Sequence, residues 1–395
     1  MIGMRVLGFV RRSASTPIIL ALLVALVTIV ANSAGDASLR RIVVGAVVNM
    51  IAVIGIYLFI GLTGVFSFGQ LAFMAIGAYA TAIFTVPVAT KRALFSAMPE
   101  WLADINLPFI PGILAGALVA AVVAFLLSFP MARMQPLSAG LATLAILVAV
   151  YTVAGNWTAV TNGSKGMSAI PTNTTMPVAL IAVILVIIAV WIFQQSGLGL
   201  RIRATREDAV AARAIGIKVG RERGIAFVAS AFVMGLAGGL YAQLQGTLSP
   251  DAFFLNQTFL LIAMLVVGGL NSLTGAVIGT ILITAFRRVL QVIEAGVDIG
   301  PLEIPGRPGL TEVGIGIALL VVLALRSSGL TRGTEVSWDS LVRFGKRLTR
   351  RGTPSAAPTA AADPESVAGL AAAERTTPET ATAEAVIEPE RTPGA

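Results

Sequence analysis

Apolar runs broken by short polar interruptions set the plan of the chain. Ten such runs fall near 16–32, 42–61, 70–88, 111–130, 137–155, 177–196, 224–245, 254–270, 273–290 and 312–326. Each is close to the roughly 17–25 residues that an α-helix needs to cross the hydrocarbon of a bilayer. Backbone groups in lipid must bond within their own segment. The prediction is therefore an all-α polytopic membrane protein of about ten transmembrane helices. No Asp, Glu, Lys or Arg occurs between Ile42 and Val88, within 111–130, 137–155, 177–196 or 224–250, or in 252–286. A proton-driven carrier generally keeps a carboxylate or histidine inside its spans, where it is costly and therefore functional. The nearest acids, Asp251 and Glu312, sit at predicted span ends, which points to an energy source outside this chain.

Two stretches are irregular where a helix should continue. Gly61-Leu62-Thr63-Gly64-Val65-Phe66-Ser67-Phe68-Gly69-Gln70 interrupts one apolar run, and Gly268-Gly269-Leu270-Asn271-Ser272-Leu273-Thr274-Gly275 interrupts another. Irregular backbone at membrane depth survives only inside protein or along a wet cavity, and broken helices in transporters mark the substrate path. Thr63, Ser67, Gly69 and Gln70 in the first, with Asn271 and Ser272 in the second, are the candidate translocation-path residues. The alternative for each stretch is a tight turn between neighbouring helices, and for the second that is the default. The two strings are loosely alike, as an internal repeat would be. Gly112–Gly116, Gly235–Gly239 and Gly275–Gly279 each form G-x-x-x-G. That spacing lets helix backbones meet closely, and packing inside the subunit is the expectation.

Residues 201–223, RIRATREDAVAARAIGIKVGRER, carry seven basic and three acidic side chains between two uncharged apolar runs. Such a loop lies in water on one side of the bilayer. Its Ala209, Ala211, Ala212 and Ala214 suit a short helix that lets another protein come close. Lys and Arg collect on the cytoplasmic side. With the N-terminus inside and ten spans, the N-terminal arm, Arg133, this loop and everything from Arg326 onward are cytoplasmic, and they hold 20 of the 28 basic residues. Arg40, Arg41, Lys91, Arg92, Lys165, Arg287, Arg288 and Arg307 fall outside. The first span resembles a signal peptide, with Arg5, Arg11 and Arg12 ahead of it and Asn32-Ser33-Ala34-Gly35 behind. A retained helix is the expectation, because cleavage would leave an odd number of spans.

Composition narrows the chemistry. Apolar residues make up 56% of the chain and charged residues 12%, about half the charged share of a soluble domain. There is no Cys and no His. Disulfides, thiol nucleophiles and imidazole chemistry are excluded, and carboxylates alone remain as possible metal ligands. No cofactor and no metal are expected. The net charge of +8 is read as the cytoplasmic excess of Lys and Arg, with no nucleic-acid partner.

The chain divides into a transmembrane domain at 1–331, with its charged loop at 197–223, a basic segment at 332–352 and a tail at 353–395. In the basic segment Trp338, Leu341, Val342, Gly345 and Leu348 share one helical face, with Arg343, Lys346, Arg347, Arg350 and Arg351 around them. An amphipathic helix on anionic membrane lipid is one reading, and a solvated basic tether is the other. The tail is Ala, Thr, Pro and Glu in low-complexity order and is expected to be disordered.

Several strings resemble one family. GLTGVFSFGQLAFMAIGAYATA (61–82) is similar to the glycine-serine-glycine and GAY signature of permease subunits of high-affinity branched-chain amino-acid ABC importers. RATREDAVAARAIGIKVGRERGIAFVASAFVMGLAGGLYA (203–242) resembles that family's cytoplasmic loop and following helix. LSPDAF (248–253) and MLVVGGLNSLTGAVIGT (264–280) follow in the family's order. Thr161-Asn162-Gly163-Ser164-Lys165-Gly166-Met167 looks like the outer loop of the LivM-type subunit rather than its LivH-type partner. The resemblance covers most of residues 40 to 326 and implies a bacterial cytoplasmic-membrane protein with both termini inside. It implies a pair of related permeases, a heterodimer, with two cytoplasmic ATPase subunits and an extracytoplasmic substrate-binding protein. Arg206, Glu207, Asp208, Ala211, Ala212, Gly216 and Ile217 would form the coupling helix that docks in the ATPase. No G-x-x-x-x-G-K-[ST] phosphate loop occurs in this chain, so ATP would be hydrolysed by another subunit and this one is not an enzyme. Val65-Phe66 is more apolar than the family's pattern. Permeases of urea and amide importers are closely similar, which leaves them as alternative substrates. An ATP-independent carrier or channel for a small neutral solute, and a non-transporting membrane scaffold or export factor that would leave the broken helices unexplained, are the remaining alternatives.

Overall fold

The computed structural model of the chain describes residues 15–33, 36–95, 98–295, 297–299, 302–304, 309–325, 329–331 and 335. All ten predicted spans are helices. In chain order, α1 is Ser15–Ser33 and α2 is Ala37–Ile56, which runs on through one π-helical turn at Tyr57–Gly61. α3 is Gln70–Thr85, followed by the short α4 (Val88–Leu94) and α5 (Glu100–Ala103). α6 is Phe109–Met131, α7 Pro136–Asn156, α8 the single turn Thr158–Thr161 and α9 Met176–Gln195. The charged loop folds as α10 (Gly197–Glu207) and α11 (Ala209–Ala214), and α12 is Val219–Gln245. α13 (Leu255–Gly268), α14 (Leu273–Glu294) and α15 (Leu310–Leu325) complete the helices. Between α14 and α15 lies a small antiparallel ribbon of β1 (Val297–Ile299) and β2 (Leu302–Ile304), with Val297 opposite Ile304. The fold is otherwise all-α.

Eight helices among the described residues are long and apolar enough to cross a membrane, α13 only together with the 3-10 turn Pro250–Phe253 that leads into it; α3 and α15 are shorter. The chain is a multi-pass membrane protein. α3 has only 16 residues, yet 14 of them are buried. It is wrapped by protein, so its length need not match the lipid. α12 packs most closely against α3 and α6, and glycine makes that crossing possible. A Cβ on Gly235 would sit 2.7 Å from Ala117 Cα, and one on Gly116 would sit 2.7 Å from the Gly77 carbonyl oxygen. The predicted G-x-x-x-G pairs thus bring backbones together inside the subunit. α1 lies against α9 and α2 and buries Leu20 and Val24 there, while Leu22, Leu26 and Ile29 face outward.

Carboxylates close the helix starts of the last two spans. Ser272 caps α14 by accepting from Gly275 N at 3.0 Å. The Glu335 carboxylate accepts from Leu273 N at 2.9 Å and Thr274 N at 3.2 Å on the same helix end. At the opposite end of α14, the Glu294 carboxylate accepts from Gly309 N at 2.8 Å and Thr311 N at 3.1 Å, capping α15. An anion at a helix N-terminus meets both unpaired N–H groups and the positive end of the dipole.

Three boundaries move by four or five residues relative to the sequence reading, the first being α2, which begins at Ala37 instead of 42. α12 begins at Val219 instead of 224, so Arg221, Glu222 and Arg223 are helical. α14 continues to Glu294, which puts Arg287 and Arg288 well inside it. The amphipathic reading of 332–352 and the tail at 353–395 lie outside the described residues, Glu335 excepted.

Candidate functional site

The first irregular stretch begins where α2 widens into its π turn. A π turn shifts the hydrogen-bond ladder and leaves groups that need new partners. Thr63 Oγ1 donates to the Phe59 carbonyl at 2.7 Å and accepts from Val65 N at 3.2 Å. The chain then runs irregularly until α3 starts at Gln70. Gln70 Nε2 donates to Ser67 Oγ at 3.4 Å, and Gln70 Oε1 accepts from Ser230 Oγ of α12 at 3.0 Å. The same hydroxyl lies 2.6 Å from the Gly55 carbonyl oxygen. Thr63, Ser67 and Gln70 are each 1% exposed. Gly69 lies against the Thr143 carbonyl of α7, and Thr143 Oγ1 accepts from Phe68 N at 3.2 Å. The polar side chains of this break are buried and bonded to one another, to α2 and to α12, while Gly64 and Phe66 remain exposed.

The charged loop supplies the other half of the site. Ser196 caps α10 through Gly199 N at 3.2 Å. Asp208 caps α11 by accepting from Val210 N at 2.7 Å and Ala211 N at 3.0 Å. Those N–H groups stabilise the charged carboxylate, so its pKa is held below the usual value, Ala211 having the larger effect. α11 ends at Ala214, and two residues on Gly216 turns the chain at a φ of +85° that favours glycine. Ala212 is buried at 3%, Ile217 is half-buried, and Glu207, Asp208, Ala211 and Gly216 are exposed. Val210 and Ile215 are 73% and 76% exposed. α11 therefore carries two bare apolar side chains beside two acids, on a helix of small residues.

Arg206 connects the two halves. Its Nη1 donates to the Gly61 carbonyl oxygen at 2.7 Å, at the last residue of the π turn. A Cβ on Gly64 would meet Arg206 Cγ at 2.9 Å, so the guanidinium stem lies directly on the break. The second irregular stretch meets it as well: a Cβ on Gly61 would lie 2.6 Å from the Leu270 carbonyl oxygen. Beside them, Gln194 Oε1 accepts from Tyr57 Oη at 2.8 Å and Arg203 Nη2 at 3.0 Å. The segment around Thr331 straps the second break, with Thr331 Oγ1 2.8 Å from Ser272 Oγ and Thr331 N donating to Gly268 O at 3.1 Å. Asn271 is exposed in that turn.

The predicted residues thus gather at one end of the bundle. The second stretch is a tight turn, as its default reading expects. Sequence reasoning missed Tyr57, Gln194, Arg203, Ser230 and Glu335. Gln194 and Ser230 were visible as polar residues in otherwise apolar runs; Glu335 carried no local signal. At the opposite end two motifs pair with each other. Met167 N donates to Leu248 O at 2.9 Å and Leu248 N to Met167 O at 2.8 Å. Asn162 sits at φ +63° with its Nδ2 on the Gly166 carbonyl oxygen at 2.9 Å. The Thr161–Met167 loop and the LSPDAF segment are one structural unit.

A family described as branched-chain amino acid transport system / permease component matches residues 38–323. The high-affinity branched-chain amino acid transport system permease protein LivM of Salmonella typhimurium (strain LT2) is 28% identical over 283 residues, covering 62% of this chain and 63% of its own. LivM of Escherichia coli (strain K12) is likewise 28% identical over 283 residues, with the same coverage. The chain therefore spans 63% of the length of these curated relatives. No solved structure matches it.

Proposed function

The chain belongs to the branched-chain amino acid permease-component family, its residues 38–323 matching that family, and from that premise we propose that it is the transmembrane permease subunit of an ATP-driven ABC importer for branched-chain amino acids. It sits in a bacterial cytoplasmic membrane with both termini and the α10–α11 loop inside. Its partners are cytoplasmic ATPase subunits, a second related permease, an extracytoplasmic binding protein and the surrounding lipids. Hydrolysis of ATP belongs to the ATPase subunits.

The observation that carries the reading is the Arg206 bond to Gly61 beside the exposed face of α11. A partner that grips Val210 and Ile215 holds a lever whose short arm ends on the break between α2 and α3. When the ATPases close, α11 moves with them, and Arg206 moves the π turn. Thr63, Ser67, Gly69 and Gln70 then act as the inner gate of the path, exchanging partners as the break rearranges, while Asn271 and Ser272 form the turn against which Gly61 slides. Rigid helices on either side make such a hinge act in steps and not by smooth deformation.

The test is reconstitution. The permease, co-expressed with its ATPase, second permease and binding protein, is placed in proteoliposomes and uptake of labelled leucine, isoleucine, valine and urea is measured. Uptake of the amino acids that requires both ATP and the binding protein is the expected result. Urea uptake alone would reassign the substrate, and flux without ATP would make the chain a carrier or channel.

A further inference from the structure

α14 turns polar along one face past its middle. Thr284, Arg287, Arg288 and Gln291 recur at the spacing of a single helical stripe. That stripe looks across a cavity of about 390 Å³ at Ser38, Arg41 and Asn49 of α2, which share a face in the same way. α12 and α13 close the sides, and Gln257 Nε2 of α13 donates to Asn49 Oδ1 at 3.1 Å. Three guanidinium groups line this space, and no Asp or Glu is among its lining residues. Among the described residues, Arg41, Arg287 and Arg288 form no ion pair. Arg287 Nε and Thr284 Oγ1, one helical turn apart, are buried atoms with no hydrogen-bond partner. Glu312 lies in the adjoining cavity that Arg287 also borders.

Arg287 is half-buried in the cavity wall and its Nε has no partner, whereas Arg41 and Arg288 are exposed. A buried donor left unpaired is costly and marks a place where an acceptor belongs. Guanidinium donors suit a planar, two-oxygen anion. We propose that this cavity is a carboxylate-binding station on the outer half of the permease's path. The substrate carboxylate accepts from Arg287 and the Thr284 hydroxyl, with Arg41 and Arg288 supplying attractive field. The ammonium group meets the amide oxygens of Asn49 and Gln257, and the aliphatic side chain lies against Ile42, Leu244 and Met264. The inference rests on the amino-acid permease reading and narrows it, because urea and neutral amides carry no charge for three arginines to hold.

Leucine binding to the purified permease complex, with leucinamide as the competitor lacking a carboxylate, tests the station directly. The same complex in proteoliposomes gives ATP-driven leucine uptake. Arg287→Gln is expected to lower binding and uptake roughly 10-fold or more, with ATPase subunits still bound, Arg287→Lys recovering part of the loss, and leucinamide failing to compete. Should Arg287→Gln fail to assemble, Thr284→Val keeps shape and charge and is expected to weaken leucine binding several-fold. Unchanged binding in the variants, or equal competition by leucinamide, overturns the station while leaving the importer reading in place. A wild-type complex that carries urea and no amino acid fails the importer reading itself. The alternative source of an anion is lipid phosphate: if wild-type uptake collapses in vesicles without anionic lipid while leucine binding ignores Arg287, the arginines hold lipid and the station is overturned.

Discussion

Arg206 and Gly61 stand 145 residues apart in sequence and 2.7 Å apart in space. The bond is charge-assisted, and its acceptor is a carbonyl at the end of a π turn, where the helix ladder is already loosened. Removing the guanidinium therefore disconnects two segments without emptying the core. Arg206→Ala is expected to keep insertion and ATPase binding while uptake falls about 10-fold or more, leaving ATP hydrolysis that no longer drives transport. Lysine would restore the charge but not the reach and fork of the guanidinium, so Arg206→Lys should recover little. Parallel measurement of uptake and phosphate release in proteoliposomes checks this. Normal coupling in Arg206→Ala would remove the lever. Ser67 and Gln70 lie on the other side of the same break. Their polarity was legible as an interruption of an apolar run. Their direction was not, because the partner that turns Gln70 inward, Ser230, lies 160 residues away.

α11 is only six residues long, so its own ladder contributes little and its ends decide whether it forms. Asp208 closes one end. Because its folded pKa is depressed, its stabilising effect is present above the ordinary carboxylate range and is lost only as pH falls through the lowered value. Association with the ATPase is expected to hold through mildly acid pH and to weaken below the usual carboxylate range. Asp208→Asn, an equally good cap without a titrating proton, should remove that acid limb, while Asp208→Ala should weaken association a few-fold at neutral pH. A co-purification series over pH reads all three. Most elements were legible from the lengths of apolar runs, since lipid imposes a length on whatever crosses it. α3 was legible too, but its burial was not, because a run of Ala, Gly and Phe looks the same facing lipid or protein. The early start of α12 was hidden for the opposite reason: Arg221, Glu222 and Arg223 look like loop residues although helix formation tolerates them well.

At the scale of the whole molecule, stability comes from helices that touch through glycine. Water exclusion drives little association between helices in lipid, so close packing matters more than apolar content. Gly235→Leu is expected to force α12 from α6, since even a Cβ would approach Ala117 Cα to 2.7 Å. The cost, on the order of 1–3 kcal/mol or more, should appear as a lower thermal midpoint in detergent and a poor yield of assembled complex. Gly155→Leu, where a Cβ meets nothing within 4 Å, should leave both unchanged. Equal behaviour of the two variants would deny the crossing its role.

The bare side chains of α11 bear on how such a subunit is made. Val210 and Ile215 face solvent at more than 70% exposure, a condition that water tolerates poorly next to a folded surface. A permease translated ahead of its ATPase would display them like an unmet address. The chain produced alone would therefore be prone to self-association and to clearance by cellular proteases, and its abundance would follow that of its partner. Under the importer proposal, stoichiometry would be enforced by the same two side chains that are proposed to transmit the stroke.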